Sequence, residues 1–357
     1  MERRKTRSVS VGGVMIGGGA PISVQSMTNV PSENFEAVTN QIKMLEKAGC
    51  DIVRVAVPNE NCAEIFTYAR EHGAEVPLVA DIHFDYKIAL ASVRHGADKI
   101  RINPGNIGDK ARVREVADAC RAAGIPIRIG VNGGSLEKSL LEKYGSPCAE
   151  AIAESALRQA DVLESVGFSD IVISIKSSDV GKMIAACESV AENSSYPLHL
   201  GVTEAGDSYS GLVKNSVGIG SLLMRGIGDT IRVSLTADPC EEVKAGKEIL
   251  KSAGMWNRGG VNIISCPTCG RTKVNIILLV SQLKDAAANI DTHGKNVNVA
   301  VMGCVVNGPG EAREADFGIA GGDGFGVLFR KGEPCGRVEE NNIIHTLVEN
   351  IKEFVKQ

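Results

Sequence analysis

Residues 48–57 read AGCDIVRVAV, and this stretch decides the fold. Gly49 is placed to end a helix, and Asp51 opens a run of β-branched residues that predicts a strand. Similar phrases recur at residues 96–98, before DKIRIN (98–103), and at residues 166–170, before DIVISIK (170–176). The recurrence indicates a repeated unit of one strand and one helix, which is typical of a parallel sheet.

Between residue 20 and residue 237, such runs alternate with longer segments rich in Ala, Glu, Lys and Leu. The runs predict eight strands, near residues 22–27, 51–57, 77–83, 98–103, 126–132, 170–176, 197–203 and 230–236. Eight strand–helix units over about 220 residues predict an α/β fold, a (β/α)8 TIM-type barrel, with its functional side chains at the carboxyl ends of the strands. A doubly wound open sheet is the alternative fold.

Each predicted strand has two faces, because successive side chains point to opposite sides of a sheet. One face is apolar, as at Val53, Val55 and Val57, and is expected to pack against helices. The other face is expected to point to the centre of the barrel. Its polar members are Gln25, Arg54, Asp81, His83, Arg101, Asn103, Arg128, Asn132, Ser174, Lys176, His199, Thr203, Arg232 and Ser234.

The polar face carries an excess of cations. They are Arg54, Arg101, Arg128, Lys176 and Arg232. Buried cations need anions, and guanidinium groups bind phosphate with paired hydrogen bonds. The pattern predicts a polyanionic ligand bearing a diphosphate, with Asn103, Asn132 and His199 in the same site. The alternative is a structural ion network in which Asp81 or Glu204 neutralises one or two cations.

Composition excludes several classes of protein. The 357 residues hold 39 Lys and Arg against 43 Asp and Glu, a net charge of −4, so no overall positive field attracts nucleic acid or anionic membranes. No run approaches the roughly 18 to 20 apolar residues of a membrane span, since even residues 274–283 include Asn275, Ser281 and Gln282. The ten cysteines come without an export signal, which predicts reduced thiols and a cytoplasmic location.

The Gly-rich stretch AGMWNRGG (253–260) predicts a boundary between two domains, residues 1–253 and 260–357. The second is predicted to be a small α+β module. Its expected elements are a strand at 261–265, a helix with apolar positions Val274, Ile277, Leu278 and Leu283, strands at 297–302, 317–320 and 325–330, and a final helix from Glu340.

Three of the ten cysteines stand in motifs. CPTCG (266–270) has the spacing of a metal-binding knuckle, and Cys304 follows in GCVVNGPGE (303–311). A zinc ribbon needs a second CxxC, which the sequence lacks. Three thiolates leave the fourth ligand position to Glu311, Cys335 or an exchangeable group, which predicts an iron–sulfur cluster with one labile iron. A structural zinc site is the alternative.

Four motifs together carry a family resemblance. They are SMTN (26–29), RINPGN (101–106), CPTCGRT (266–272) and GCVVNGPGE (303–311). Over essentially its whole length the chain resembles the short bacterial form of the 4-hydroxy-3-methylbut-2-enyl diphosphate synthase family. The resemblance implies reductive ring opening and dehydroxylation of 2-C-methyl-D-erythritol 2,4-cyclodiphosphate, in the methylerythritol phosphate pathway of isoprenoid biosynthesis.

The resemblance also implies roles for residues. A [4Fe-4S] cluster is expected on Cys266, Cys269, Cys304 and Glu311. The barrel cations are expected to hold both phosphates, with Asn307 also contacting substrate, and Glu204 or Asp81 is expected to supply a proton.

The implied partners are flavodoxin or ferredoxin as electron donor and a second subunit. In the implied homodimer, the cluster domain of one subunit caps the barrel of the other. The sequence leaves two other functions open: a barrel enzyme resembling dihydropteroate synthase with a structural zinc domain, and a nonenzymatic iron–sulfur sensor or carrier.

Overall fold

The computed structural model of the protein describes residues 2–288, 290–305, 310 and 312–356, with only the backbone of Ser135. The chain divides into two compact units, Met1–Trp256 and Asn257–Gln357. The first begins with an antiparallel hairpin of β1 (Ser8–Val11) and β2 (Val14–Gly17), which the sequence analysis did not predict.

Eight strands then close into a parallel barrel, in the order β10-β3-β4-β5-β6-β7-β8-β9 around its circumference. They are β3 (Ser23–Met27), β4 (Ile52–Ala56), β5 (Leu78–Asp81), β6 (Lys99–Ile102), β7 (Ile127–Asn132), β8 (Ile171–Lys176), β9 (Leu198–Leu200) and β10 (Thr230–Ile231). The predicted TIM-type barrel is confirmed. Several strands end earlier than predicted, β10 at Ile231 rather than residue 236, because the chain leaves the hydrogen-bonded ladder to form the mouth of the barrel.

Helices follow the strands around the barrel. They are α1 (Phe35–Lys47), α2 (Ile65–Glu71), α3 (Tyr86–Arg94), α4 (Lys110–Ala123), α5 (Lys138–Tyr144), α6 (Ala149–Glu164), α7 (Val180–Asn193), α8 (Ser208–Leu223) and α9 (Pro239–Ser252). Many begin at an acidic or amide cap: Asp109 and Asp207, for example, each accept hydrogen bonds from two backbone N–H groups of the first turn. These caps fix where each loop at the mouth ends.

The two strand faces have the predicted environments. Val53 and Val55 of β4 pack in one apolar cluster with Ile42 and Leu45 of α1, between the barrel wall and its helices. On the inward face the barrel is apolar at its amino-terminal end, where Ile52, Val79 and Val172 meet Val9, Val11 and Ile16 of the hairpin. The hairpin therefore closes that end, and mainly polar side chains occupy the rest of the interior.

The second unit is a five-stranded sheet in the order β11-β12-β13-β14-β15. Its strands are β11 (Gly260–Ser265), β12 (Asn296–Met302), β13 (Phe317–Gly321), β14 (Phe325–Arg330) and β15 (Glu333–Glu339). The first three are parallel, and β13, β14 and β15 form an antiparallel meander. Helices α10 (Ile276–Ala287) and α11 (Ile343–Lys356) pack on one face of the sheet, so the module is α+β.

Two details of this unit differ from the sequence analysis. Ile277 and Leu278 are exposed, at 74% and 51%, because α10 buries the stripe formed by Ile276, Leu279 and Leu283 instead. Strand β15 was not predicted, because it contains Pro334 and Gly336, residues that are uncommon in strands other than edge strands. Of the helices in the described part of the chain, none combines the length and apolar character that crossing a membrane requires.

Candidate functional site

The carboxyl ends of the barrel strands hold a buried ion cluster centred on Asp81. Its Oδ1 lies 3.2 Å from Nη1 of Arg101, and its Oδ2 lies 3.7 Å from Nε of Arg54. Burial alone raises the pKa of Asp81, but Arg54, Arg101 and Lys176 outweigh it, so the net shift is downward. Asp81 is therefore a carboxylate that holds two guanidinium groups side by side.

Arg101 is fixed on three sides. Besides Asp81, its Nη1 lies 3.2 Å from Nε2 of His83, and its Nη2 donates to the carbonyl of Gly130 at 3.4 Å. A Cβ at position 130 would lie 2.4 Å from Nε of Arg101, so only glycine leaves room for this side chain. Burial lowers the pKa of His83 although Asp81 opposes the shift, so its neutral ring can accept from Arg101.

Arg54 and Arg232 lie on either side of Met27. Nε and Nη2 of Arg54 lie 2.9 and 2.8 Å from Sδ of Met27, and Nη1 of Arg232 lies 3.8 Å from the same sulfur. Burial, with repulsion from Arg232 and Arg101, lowers the pKa of Arg54 to about 10. The thioether is a weak acceptor, so it spaces the two guanidinium groups without neutralising them.

A deeper group of polar side chains lies below this layer. Arg128 is fully buried and donates from Nη1 to Oε1 of Gln25 at 2.6 Å. Within the described part of the chain, Nε and Nη2 of Arg128, Nζ of Lys99 and Nδ1 of His199 have no hydrogen-bond partner. Burial lowers the pKa of all three groups. Lys99 was missed by the sequence analysis, although it lies two residues before Arg101 and hence on the same strand face.

The interior of the barrel thus has unbalanced positive charge. Among the described residues, six cations lie on its inward face, and the carboxylates that pair with them are Asp81 on the same face and Glu242 on α9. The cations are Arg54, Lys99, Arg101, Arg128, Lys176 and Arg232. Since buried charge is costly unless it is paired, this interior is suited to a ligand with several negative charges.

Among the described residues, two larger cavities open at the carboxyl ends of the strands. One, of about 280 Å³, is lined by Asn132, Lys182, Thr203 and Glu204 among others. Glu204 is exposed and has φ +51°, a left-handed backbone that non-glycine residues seldom adopt. A second cavity, of about 580 Å³, is lined by His83, Phe84 and the 57–61 loop.

Other predicted binding residues lie close to these groups. Arg54, Lys176, His199 and Arg232 line one small cavity together. Asn103 is buried, and its Oδ1 accepts from the N–H of Gly105 at 3.0 Å, which shapes the loop after β6.

In the second unit, Cys266 and Cys304 follow the ends of two neighbouring parallel strands. Ser265 pairs with Val301, so both cysteine loops begin at the carboxyl ends of adjacent strands, on the same side of the sheet. The N–H of Gly303 donates to Sγ of Cys266 at 3.3 Å, and the N–H of Lys273 donates to the carbonyl of Gly303 at 2.8 Å. A Cβ on Gly303 would lie 2.5 Å from Cδ1 of Ile276 in α10 and 3.0 Å from Cγ2 of Thr272 in the first cysteine loop, so glycine lets the second loop lie against both.

Cys269 is exposed, and the pKa of its thiol is lowered. Hydrogen bonds from the backbone and side chain of Arg271, with a weaker one from Thr272, lower its pKa. Thiolates that accept N–H hydrogen bonds are the donors that iron–sulfur clusters use, so the donor chemistry fits such a group. Within the described part of the chain, three metal-binding side chains do not converge on one point.

Asn307 and Glu311 lie outside the described residues. Cys335, the alternative fourth ligand, is exposed on β15, at the opposite edge of the sheet from β11.

Sequence comparisons match both units to one family. The GcpE TIM-barrel domain matches residues 6–247, and the GcpE protein C-terminal domain matches residues 262–353. The chain is 52% identical over 352 residues to the 4-hydroxy-3-methylbut-2-en-1-yl diphosphate synthase (flavodoxin) of Clostridium tetani, covering 99% of each chain. It is 54% identical over 353 residues to the synthase of the same name from Symbiobacterium thermophilum, covering 99% of this chain and 94% of that protein.

Solved structures with a similar fold are more distant. Dihydropteroate synthase from Stenotrophomonas maltophilia superposes with a TM-score of 0.52 at 15% identity, over 70% of this chain and 98% of that one. Type I 3-dehydroquinate dehydratase from Clostridium difficile superposes with a TM-score of 0.51 at 15% identity, over 70% of this chain and 98% of that one. At this identity the likeness concerns the barrel fold alone.

Proposed function

The chain belongs to the GcpE family, and from that membership we propose that it is a 4-hydroxy-3-methylbut-2-en-1-yl diphosphate synthase whose barrel mouth binds the diphosphate. The reaction opens the ring of 2-C-methyl-D-erythritol 2,4-cyclodiphosphate and removes a hydroxyl group as water, with two electrons and protons. The enzyme is thus an oxidoreductase of isoprenoid biosynthesis. The observation that carries the proposed site is the unbalanced positive charge of the barrel interior.

The barrel side chains have a division of roles in this proposal. Arg54, Arg101, Arg128, Lys176 and Arg232 bind the two phosphates, and Asn103, Asn132 and His199 complete the substrate site with Asn307. Asp81 keeps Arg54 and Arg101 side by side. A ligand held by several fixed donors is positioned for reaction, which is the contribution of the barrel to catalysis.

Of the two candidate proton donors, Glu204 suits that role better. Asp81 has a lowered pKa because two guanidinium groups flank it, so it releases a proton readily and regains one with difficulty. Glu204 lies at the mouth, on the cavity that Asn132 also lines. Its left-handed backbone is a local strain of the kind that functional sites retain.

The second unit would hold a [4Fe-4S] cluster on Cys266, Cys269, Cys304 and Glu311. The N–H donation to Cys266 and the lowered pKa of Cys269 support this ligand set. When bound, such a cluster supplies electrons one at a time at low potential. A carboxylate is a harder ligand than a thiolate, which makes Glu311 the exchangeable member of the set.

We further propose flavodoxin as the electron donor, because the matched relatives carry that word in their names. A homodimer in which the cluster domain of one subunit caps the barrel of the other also remains a proposal. Mixing a Cys269→Ser chain with an Arg101→Ala chain tests it: restored turnover in the mixture supports capping between subunits, and no restoration opposes it. The cytoplasm is the proposed compartment, supported by ten cysteines of which none forms a disulfide.

The experiment that tests the function is anaerobic turnover of 2-C-methyl-D-erythritol 2,4-cyclodiphosphate with a chemical reductant. We expect formation of 4-hydroxy-3-methylbut-2-enyl diphosphate that requires bound iron and sulfide. A zinc-loaded, colourless protein that is active without iron would overturn the proposal. A pteroate synthase function is not favoured, since the likeness to those enzymes is confined to the barrel fold.

A further inference from the structure

Glu242 is a buried carboxylate that the proposed function does not use. It lies in the first turn of α9 and is 3% exposed, although acids at such positions commonly face solvent. Its Oε2 accepts from Oγ of Ser26 at 2.8 Å and from Nε of Arg232 at 3.3 Å. Its Oε1 accepts from Nη2 of Arg232 at 3.3 Å and from the N–H of Leu235 at 3.1 Å. Each carboxylate oxygen thus accepts two hydrogen bonds, which join α9 to β3 and to the segment after β10.

The contact with Arg232 is bidentate. The two oxygens meet one edge of the guanidinium group, formed by Nε and Nη2, which fixes both the position and the plane of that group. The Nη1 atom is outside this contact and lies 3.8 Å from Sδ of Met27. Arg232 also lines the small cavity that Arg54 and Lys176 share. One edge is therefore held while the rest of the group remains available to a ligand.

Arg232 needs an anionic partner because the nearby guanidinium group of Arg54 repels it. The charge of Arg232 is one of the causes that lower the pKa of Arg54. The side chain of Arg232 is 18% exposed, so it can move toward solvent if nothing retains it. Glu242 is the carboxylate that pairs with Arg232 in the described part of the chain.

We propose that Glu242 is a positioning residue for the diphosphate, acting through Arg232. The inference rests on the proposed function of the barrel mouth and deepens it. Glu242 itself does not touch the substrate. By binding the Nε–Nη2 edge, it keeps a cation within reach of a phosphate despite the repulsion from Arg54.

A positioning role and a purely electrostatic role of Glu242 predict opposite changes in KM for the same substitution. Glu242→Gln removes one negative charge, and a more positive mouth would attract a diphosphate more strongly. Positioning predicts the reverse, because the amide group of glutamine presents N–H donors to Arg232 and cannot accept from both nitrogens. The direction of the change in KM therefore separates the two explanations.

The test compares Glu242→Gln with Glu241→Gln in the iron-loaded enzyme. Glu241 is the adjacent residue of α9, exposed and paired with Lys244, and makes a matched control. For Glu242→Gln we expect KM for the cyclodiphosphate to rise about tenfold, a ratio that corresponds to about 1.4 kcal/mol, with kcat and iron content nearly unchanged. For Glu241→Gln we expect wild-type constants. An unchanged or lower KM in Glu242→Gln would overturn the proposal.

A double-mutant cycle with Arg232→Ala tests whether Glu242 acts through that residue. On the Arg232→Ala background, Glu242→Gln should change KM by less than about twofold. A full additional effect would mean that Glu242 only joins α9 to β3 and the loop after β10. Ser26→Ala removes a different contact of Glu242 and controls for a general effect on packing. It should leave KM near the wild-type value.

Failure of the proposed function would be seen separately, as wild-type enzyme that does not convert the cyclodiphosphate. In that case, binding of inorganic pyrophosphate to the same variants still tests the role of Glu242. Weaker binding by Glu242→Gln than by Glu241→Gln would support it, and equal binding would contradict it.

Discussion

The barrel mouth and the cysteine loops both hold functional side chains, but they hold them differently. At the mouth, Arg54, Asp81 and Arg101 stand on strands, are buried, and contact one another without any ligand. The cysteines stand beyond the strand ends, on loops, and Cys269 is exposed.

The difference indicates how each site forms. Strands of a closed barrel fix side chains in advance, so the phosphate site is built by folding alone. Ligands on loops are gathered by the group they bind, since metal binding and local folding are coupled. The two sites should therefore be separable by mutation, and the predictions below test that separation.

The largest effect is expected from loss of a thiolate. Cys266→Ser, Cys269→Ser and Cys304→Ser should each abolish iron binding and turnover, because each removes one ligand of the cluster. Iron and sulfide analysis with a turnover assay checks this. Cys335→Ser, on the exposed edge strand β15, is the control and should keep both. A serine variant that retains iron and wild-type turnover would remove that cysteine from the ligand set.

A smaller effect is expected at the mouth. Arg101→Ala should weaken binding of the cyclodiphosphate by about 10- to 100-fold, since a charge-assisted hydrogen bond contributes about 1.5–3 kcal/mol. Calorimetric titration measures the change, and iron content should stay at the wild-type value. Arg121→Ala, which removes an exposed arginine paired with Asp118, should bind normally. Equal affinities for Arg101→Ala and wild type would show that Arg101 has only a structural role.

The unbalanced charge predicts an effect on stability as well. Nζ of Lys99 is fully buried without a partner in the described chain, so Lys99→Met should raise the free energy of unfolding by about 1–3 kcal/mol. Urea unfolding of the iron-free protein measures this. A destabilised variant would mean that the ammonium group is well satisfied in the folded protein.

A still smaller effect concerns pH. Burial lowers the pKa of His199, so below the unfolded value of about 6.5 the unfolded chain binds more protons than the folded one. As the pH is lowered below that value, the free energy of unfolding should therefore decrease, by at most about 1.4 kcal/mol per pH unit. His199→Gln should flatten this slope in urea unfolding between about pH 5 and 7. The exposed His293→Gln is the control, and a wild-type slope in His199→Gln would contradict the expectation.

Much of the barrel could be predicted because its strands and helices follow from patterns of neighbouring residues in the sequence. The alternation of side chains along each strand identified Arg101 and Arg128 as inward-facing, and the strand count followed from the repeated units. The same alternation includes Lys99, but a lysine at the start of a strand resembles an exposed residue in sequence, and only the closed barrel buries it.

Tertiary packing decided what the sequence did not. Glu242 has the pattern of a solvent-facing acid in a first helical turn, and its contact with Arg232 depends on how α9 packs against the barrel. Ile277 and Leu278 fit an apolar helical pattern, yet the register of α10 leaves both exposed. The roles of Asn307 and Glu311 and the boundaries at residues 253 and 260 remain predictions.

The most direct test of the separation between the two sites is the affinity of the iron-free protein for 2-C-methyl-D-erythritol 2,4-cyclodiphosphate, measured by anaerobic calorimetric titration. Because the barrel cations are fixed by strands and by each other, we expect binding within about tenfold of that of the iron-loaded enzyme. If the iron-free protein keeps its barrel structure by circular dichroism but does not bind the cyclodiphosphate, the phosphate site is not built by the barrel alone.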